Sequence, residues 1–178
     1  DCVVRLGAIV DESLVARRVG EYQFLVCASP DYLRRHGAPA HPLDLARDPH
    51  RVVAHLAPLT GKARPLVLRQ GAESHRIEGS AQLAINDGGA NLEAGLAGLG
   101  VVRLPTLLAR PYLERGDLVA VLPGWSSDSL PVNVAYVPNR HPNLKLRVFV
   151  DWVTDMLRRS TAQTAPSDTT LRRLPLVA

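Results

Sequence analysis

"AINDGGANLEAGLAGLGVVRLP", Ala84 to Pro105, is the stretch on which the fold turns. Its glycines resemble a phosphate-cradling loop, but their order is wrong for one. A dinucleotide fingerprint runs strand, glycine loop, helix, with the phosphate at the helix amino end. Here Leu92, Leu96 and Leu99 share a helical face, so the helix precedes Gly98 and Gly100, and Val101-Val102-Arg103-Leu104 reads as a strand after them. Those two glycines close a helix at the negative end of its dipole, where an anion is disfavoured. The informative end is the other one. Asn86-Asp87-Gly88-Gly89 joins a strand at Leu83–Ile85 to the helix amino end, where open α/β sheets bind ligands and unpaired backbone N–H groups attract anions. Locally, two readings stand: a ligand-facing corner, or a plain cap by Asn86 or Asp87 with glycines that only turn the chain.

Outward from this stretch, strands alternate with helices, an α/β pattern, and parallel sheets covered by helices on both faces are expected. Val3, Val4 and Leu6 suggest a buried strand, and two extended stretches follow in "SLVARRVGEYQFLVCASP". Ser29-Pro30-Asp31 is a helix start and Gly37 a left-handed stop. "HPLDLARDP" reads as a single turn anchored by Leu43 and Leu45. Val52–His55, Leu66–Arg69 and Leu118–Leu122 are strand candidates. Pro105 opens a helix that Pro111 should kink and Gly116 should end. Val132, Val134 and Tyr136 alternate as in a half-buried strand. Asn143 is placed to cap a last helix whose Leu146, Phe149, Val150, Val153 and Leu157 share one face. Residues 160–178 show no period and read as a disordered tail.

The 178 residues are 46% hydrophobic, 21% charged and only 4% aromatic, with a net charge of +4. That composition buries a core built from Leu, Val and Ala and does not demand an acidic partner. Arginine pairs such as Arg17-Arg18 suit solvated faces or interfaces. Cys2 and Cys27 lie in apolar runs and read as reduced thiols of a cytoplasmic chain. No apolar run approaches the roughly 20 residues that span a bilayer, so no membrane partner is expected. The chain opens at Asp1 and its only methionine is Met156, as in a piece of a longer protein.

Enzyme chemistry finds little support. Ser80 lacks a nucleophile elbow. The six histidines, His36, His41, His50, His55, His75 and His141, show no helical pair with an intervening glutamate. His41 and His50 flank a short turn with no cysteine or clustered carboxylate visible in sequence, so neither a metal nor any cofactor is expected. No helix-turn-helix or basic recognition helix is visible.

Taken together, "DCVVRLG", "SLVARRVGEYQFLVCASPDYLRRHGAP", "HPLDLARD", "INDGGANLEAGLAGLGVVRLP", "LERGDLVAVLP" and "PVNVAYVPNRHPNLKLRVFVDWV" resemble, in order and spacing, the effector-binding domain of LysR-type transcriptional regulators. The likeness runs from Asp1 to about Leu157, and "ASPDYLRRHG" is its most distinctive part. It implies a two-lobed fold similar to type II periplasmic solute-binding proteins, with a complete second lobe and a partial first one. Residues 1–23 would be first lobe and crossover, 24–130 the second lobe, and 131–159 a strand and helix returning to the first. It also implies a small-molecule effector between the lobes, a homo-oligomer (dimer or tetramer), and promoter DNA bound only through a winged helix-turn-helix outside this chain. By position, Asn86 matches the place before the second-lobe helix where the family often puts a Ser or Thr facing the effector. Leu6, with Gly7 after it, matches the end of a first-lobe strand where several members place a polar or cationic contact. The leucine tilts the pocket toward an apolar group. A solute-binding receptor of a transport system, with the same two-lobed architecture, is the alternative.

Overall fold

A computed structural model describes residues 2–57, 60–78, 83–138 and 144–162. In chain order the strands are β1 (Cys2–Leu6), β2 (Val15–Tyr22), β3 (Phe24–Ala28), β4 (Ala54–Leu56), β5 (Ala63–Arg64), β6 (Leu66–Gln70), β7 (Glu73–Ile77), β8 (Ala84–Ile85), β9 (Val102–Pro105), β10 (Val119–Ala120), β11 (Ser126–Ser127) and β12 (Leu130–Tyr136). The helices are α1 (Pro30–His36), α2 (Gly88–Leu96), α3 (Thr106–Arg115) and α4 (Leu144–Ala162), with a 3-10 turn at Pro42–Ala46. Among the described residues, the chain divides into two compact units, 2–23 with 129–162, and 24–128.

In the first unit β12 lies between β1 and β2, antiparallel to both. α4 covers this sheet, with Val150, Val153 and Leu157 buried against Val19, Val132 and Val134. Burying each such side chain contributes about 1.5–3 kcal/mol. Among the described residues β1 pairs only with β12, and its Val3, Val4 and Leu6 are exposed rather than buried as expected. β12, paired on both edges, buries Val132, Asn133, Val134 and Ala135 in succession, so the simple alternation fails there. The anticipated cap at Asn143 and the tail beyond Ala162 lie outside the described residues.

In the second unit, β3 runs between β9 and β10, β6 between β7 and β11, and β4 between β5 and β8. The expectation of parallel sheets is corrected: of the eight named pairings among the described residues only β4 with β8 is parallel. Parallel order survives where a helix crosses over. β8, α2 and β9 straddle residues 52–56: Ala54 N–H donates to Leu83 O and Val53 N–H to Val101 O, with Val52 bridged in parallel to Val101. Elsewhere hairpins and returns along the sheet need no crossover, and antiparallel pairing results.

The connections follow their residues. Ser29 Oγ accepts the Tyr32 N–H at 3.2 Å, and Pro30 takes the first position of α1. α2 ends at Leu96, earlier than Leu99, which is exposed, and Gly98 makes the turn with φ +68°. Arg35 reaches across from α1 to donate to Gly98 O at 2.8 Å. α3 passes through Pro111 and stops at Gly116, where φ is +79°. Cys27 is fully buried and its thiol is pushed up to about 12, an inert core residue.

Candidate functional site

β8 delivers the chain to the amino end of α2. Asp87 is the N-cap, its Oδ1 accepting the Ala90 N–H at 2.8 Å, while Asn91 N–H bonds to Asp87 O. Gly88 and Gly89 therefore do not precede the helix; they are its first two residues. The cap serves the third N–H of the helix and leaves those of Gly88 and Gly89 to other partners. Asn86, Asp87, Gly88 and Gly89 are all exposed, and a Cβ on Gly88 would meet nothing within 4 Å. The capping reading and the ligand-facing reading thus describe different atoms of the same turn.

Three residues that sequence reasoning passed over gather charge near this turn. His55 on β4 pairs in register with Ile85 on one side and Arg64 on the other. Burial holds its imidazole below the ordinary range, the nearby charges of Arg64 and Arg103 lower it further, and Asp87 opposes them. Arg103 on β9 packs its guanidinium 3.8 Å from the Phe24 ring centroid. Its Nε donates to Ser127 Oγ at 2.5 Å and its Nη2 to Asp128 O. Burial brings Arg103 down to about 10, with Asp128 opposing, so it stays cationic at neutral pH. Asn91, buried in α2, donates from Nδ2 to Arg103 O at 3.1 Å, and its Oδ1 is buried without a hydrogen-bond partner. Through His55, the turn's Asp87 is linked to the positive charges of Arg64 and Arg103, and positive charge with helix-end N–H groups suits an anionic group.

Leu6 and Gly7 belong to the other unit. Leu6, at the end of β1, is 47% exposed. Gly7 has φ +88°, donates its N–H to Pro131 O at 2.8 Å, and accepts Asn133 Nδ2 at 2.8 Å. Its backbone groups are engaged within the unit, so the pair presents an apolar surface. Of the six candidates, the structure gathers Asn86 to Gly89 at one turn and leaves Leu6 and Gly7 as a separate pair.

The signal for Arg103 was present in sequence, since a lone arginine inside "VVRLP" interrupts an apolar strand. His55 and Arg64 carried none, because their proximity arises from strand pairing. One premise about the histidines is corrected: His41 does have a carboxylate neighbour, Glu73, at 3.5 Å.

Comparison with known proteins now bears on this geometry. The family model described as the LysR substrate binding domain matches residues 1–158. The chain belongs to the LysR substrate-binding domain family. It is 33% identical over 164 residues to the HTH-type transcriptional regulator YhjC of Escherichia coli K12, covering 89% of this chain and 52% of that one. It is 31% identical over 160 residues to the transcriptional activator AaeR of the same organism, covering 87% and 49%. The regulatory domain of CrgA, a LysR-type transcriptional regulator from Neisseria meningitidis, superposes with a TM-score of 0.73 at 29% identity, covering 88% of this chain and 75% of that one. This LysR-family chain therefore spans about half the length of the curated relatives it matches. Among its described residues no helix is long and apolar enough to cross a membrane.

Proposed function

We propose that this chain is the effector-binding and oligomerisation region of a cytoplasmic LysR-type transcriptional regulator, acting on promoter DNA through a winged helix-turn-helix that lies outside it. The observation that carries the effector site is the Asp87 cap, which occupies the Ala90 N–H and leaves the exposed Gly88 and Gly89 N–H groups beside Asn86. The charges of Arg64 and Arg103 favour an effector with a carboxylate or similar anionic group. The named relatives are transcriptional regulators, which favours this reading over a transport receptor.

Homo-oligomerisation has a candidate surface of its own. α4 turns one apolar face onto the sheet and exposes another, formed by Leu144, Val148, Trp152 and Met156. An exposed stripe of this kind marks a contact with a partner, here a second copy of the chain.

The test is calorimetric titration with a panel of small mono- and dicarboxylates. Binding of one of them, weakened in Asn86→Ala and in Arg64→Ala but not in Arg18→Ala, is the expected result. Affinity indifferent to Asn86 and Arg64 would remove the site from this turn.

A further inference from the structure

On another part of the second unit, the 3-10 turn and β7 bring His41, Glu73 and His75 together. His75 Nε2 lies 2.6 Å and His41 Nε2 3.5 Å from the same oxygen, Glu73 Oε1. One ligand atom from each of the three residues lies within 4.8 Å of the others. The two imidazoles meet edge to face at 4.8 Å, and the Trp125 ring stands 5.5 Å from His41 and 5.4 Å from His75. Their side chains are 40%, 54% and 20% exposed for His41, Glu73 and His75, so the cluster is walled by protein on one side and open to water on the other.

Each member is held by regular structure. Glu73 and His75 occupy alternate positions of β7, on the same face as Ile77, which is buried. Their partners across the strand pair are Gln70 and Leu68. His41 caps the 3-10 turn, and Asp44 Oδ2 accepts its backbone N–H at 2.8 Å. Trp125 closes a turn in which its N–H bonds to Leu122 O and Gly124 has φ +90°. Sites on rigid elements keep their geometry without a ligand.

We propose that His41, Glu73 and His75 form a binding site for a zinc-class divalent cation. Two imidazoles and one carboxylate are a donor set for Zn²⁺, whereas Mg²⁺ and Ca²⁺ require oxygen shells. Bonds of about 2.0–2.2 Å in tetrahedral geometry need donor atoms roughly 3.3–3.5 Å apart, a spacing that small side-chain rotations provide. The fourth position faces water. Without a cation, His41 Nδ1 accepts the Leu43 N–H at 3.3 Å, so its proton resides on Nε2 and points at Glu73. A cation at Nε2 moves that proton to Nδ1 and releases the Leu43 N–H; any proton on His75 Nε2 moves to its Nδ1 in the same way. This site stands independently of any effector at α2.

The test uses the untagged 178-residue chain stripped with chelator. Calorimetry with Zn²⁺ alone is expected to show saturable binding at one equivalent. Glu73→Gln and His75→Gln should each weaken it by at least about 10-fold, the loss caused even by removing an outer hydrogen-bond partner of a metal ligand; His36→Gln should not. In the unsubstituted chain, Zn²⁺ should shift the ring proton resonances of His41 and His75 and expose the Leu43 amide to exchange. Absence of saturable binding, retention of full affinity in Glu73→Gln, or shifts confined to other histidines would overturn the proposal.

Discussion

A Cβ placed on Gly95 would lie 2.6 Å from Cγ2 of Val102, so α2 rests on β9 with no room for a methyl group between them. The contact explains one glycine of the Ala84–Pro105 stretch by packing rather than by ligand binding. Val102 is wholly buried, and it cannot retreat without disturbing Leu92, Leu104 and Leu118 around it. Gly95→Ala is therefore expected to destabilise the second unit by about 1–3 kcal/mol, the usual cost of overpacking. A chemical denaturation curve unchanged from the parent would contradict the close approach.

The Asp87 cap yields a second outcome. Asp87→Ala removes the acceptor of the Ala90 N–H and should cost about 1 kcal/mol of stability. Asp87→Asn should recover most of that loss. The same pair of variants separates cap from receptor. If the carboxylate only caps, effector affinity in Asp87→Asn equals or exceeds that of the parent, because a negative charge beside the anion site is gone.

Acid should weaken the fold before the carboxylates titrate. His50 lies below the ordinary imidazole value because of burial, with Asp44 opposing and His36 adding to the depression. His55 is lowered by burial first and then by Arg64 and Arg103. The unfolded chain takes up protons on both as the pH falls through about 6.5, while the folded chain resists. Stability is thus full above that value and declines below it, until the folded imidazoles also protonate. Melting temperatures between pH 7.5 and 5.5 should fall, and His55→Gln should flatten part of the slope. A melting temperature that rises over this interval would refute the assignment.

Trp152 and Val148, each 60% exposed on α4, offer the check on self-association. Trp152→Glu should shift sedimentation toward the monomer without lowering the melting temperature, since its ring is not part of the face that α4 packs onto β2 and β12. A monomeric parent would dismiss the stripe as a subunit contact. The opposite face of α4, Phe149, Val150, Val153 and Leu157, packs against β2 and β12.

Local chemistry made much of the fold legible. Ser29-Pro30-Asp31 marked α1, Gly116 ended α3, and the 3.6-residue spacing from Leu146 to Leu157 located α4 and its inner face. Those signals act over a few residues. Strand direction depends on partners far along the chain, so parallel pairing was overestimated, and the polar strand β7, "ESHRI", was passed over. For the candidate site, Asn86 to Gly89 could be read from one turn. His55 and Arg64 could not, because β4 and β5 pair only in the folded sheet, whereas Arg103 announced itself as a lone arginine in an apolar strand. His41 and Glu73, 32 residues apart, were hidden for the same reason.

The sheet of β1, β12 and β2 has a consequence for biosynthesis. Its middle strand is made more than a hundred residues after its first edge, so during translation the pairings of β1 and β2 with β12 cannot form until Leu130–Tyr136 leave the ribosome. The 24–128 unit is compact by itself and can begin to fold meanwhile. A stop codon shortly after Asp128 should therefore release a product with one ordered half and one aggregation-prone ribbon.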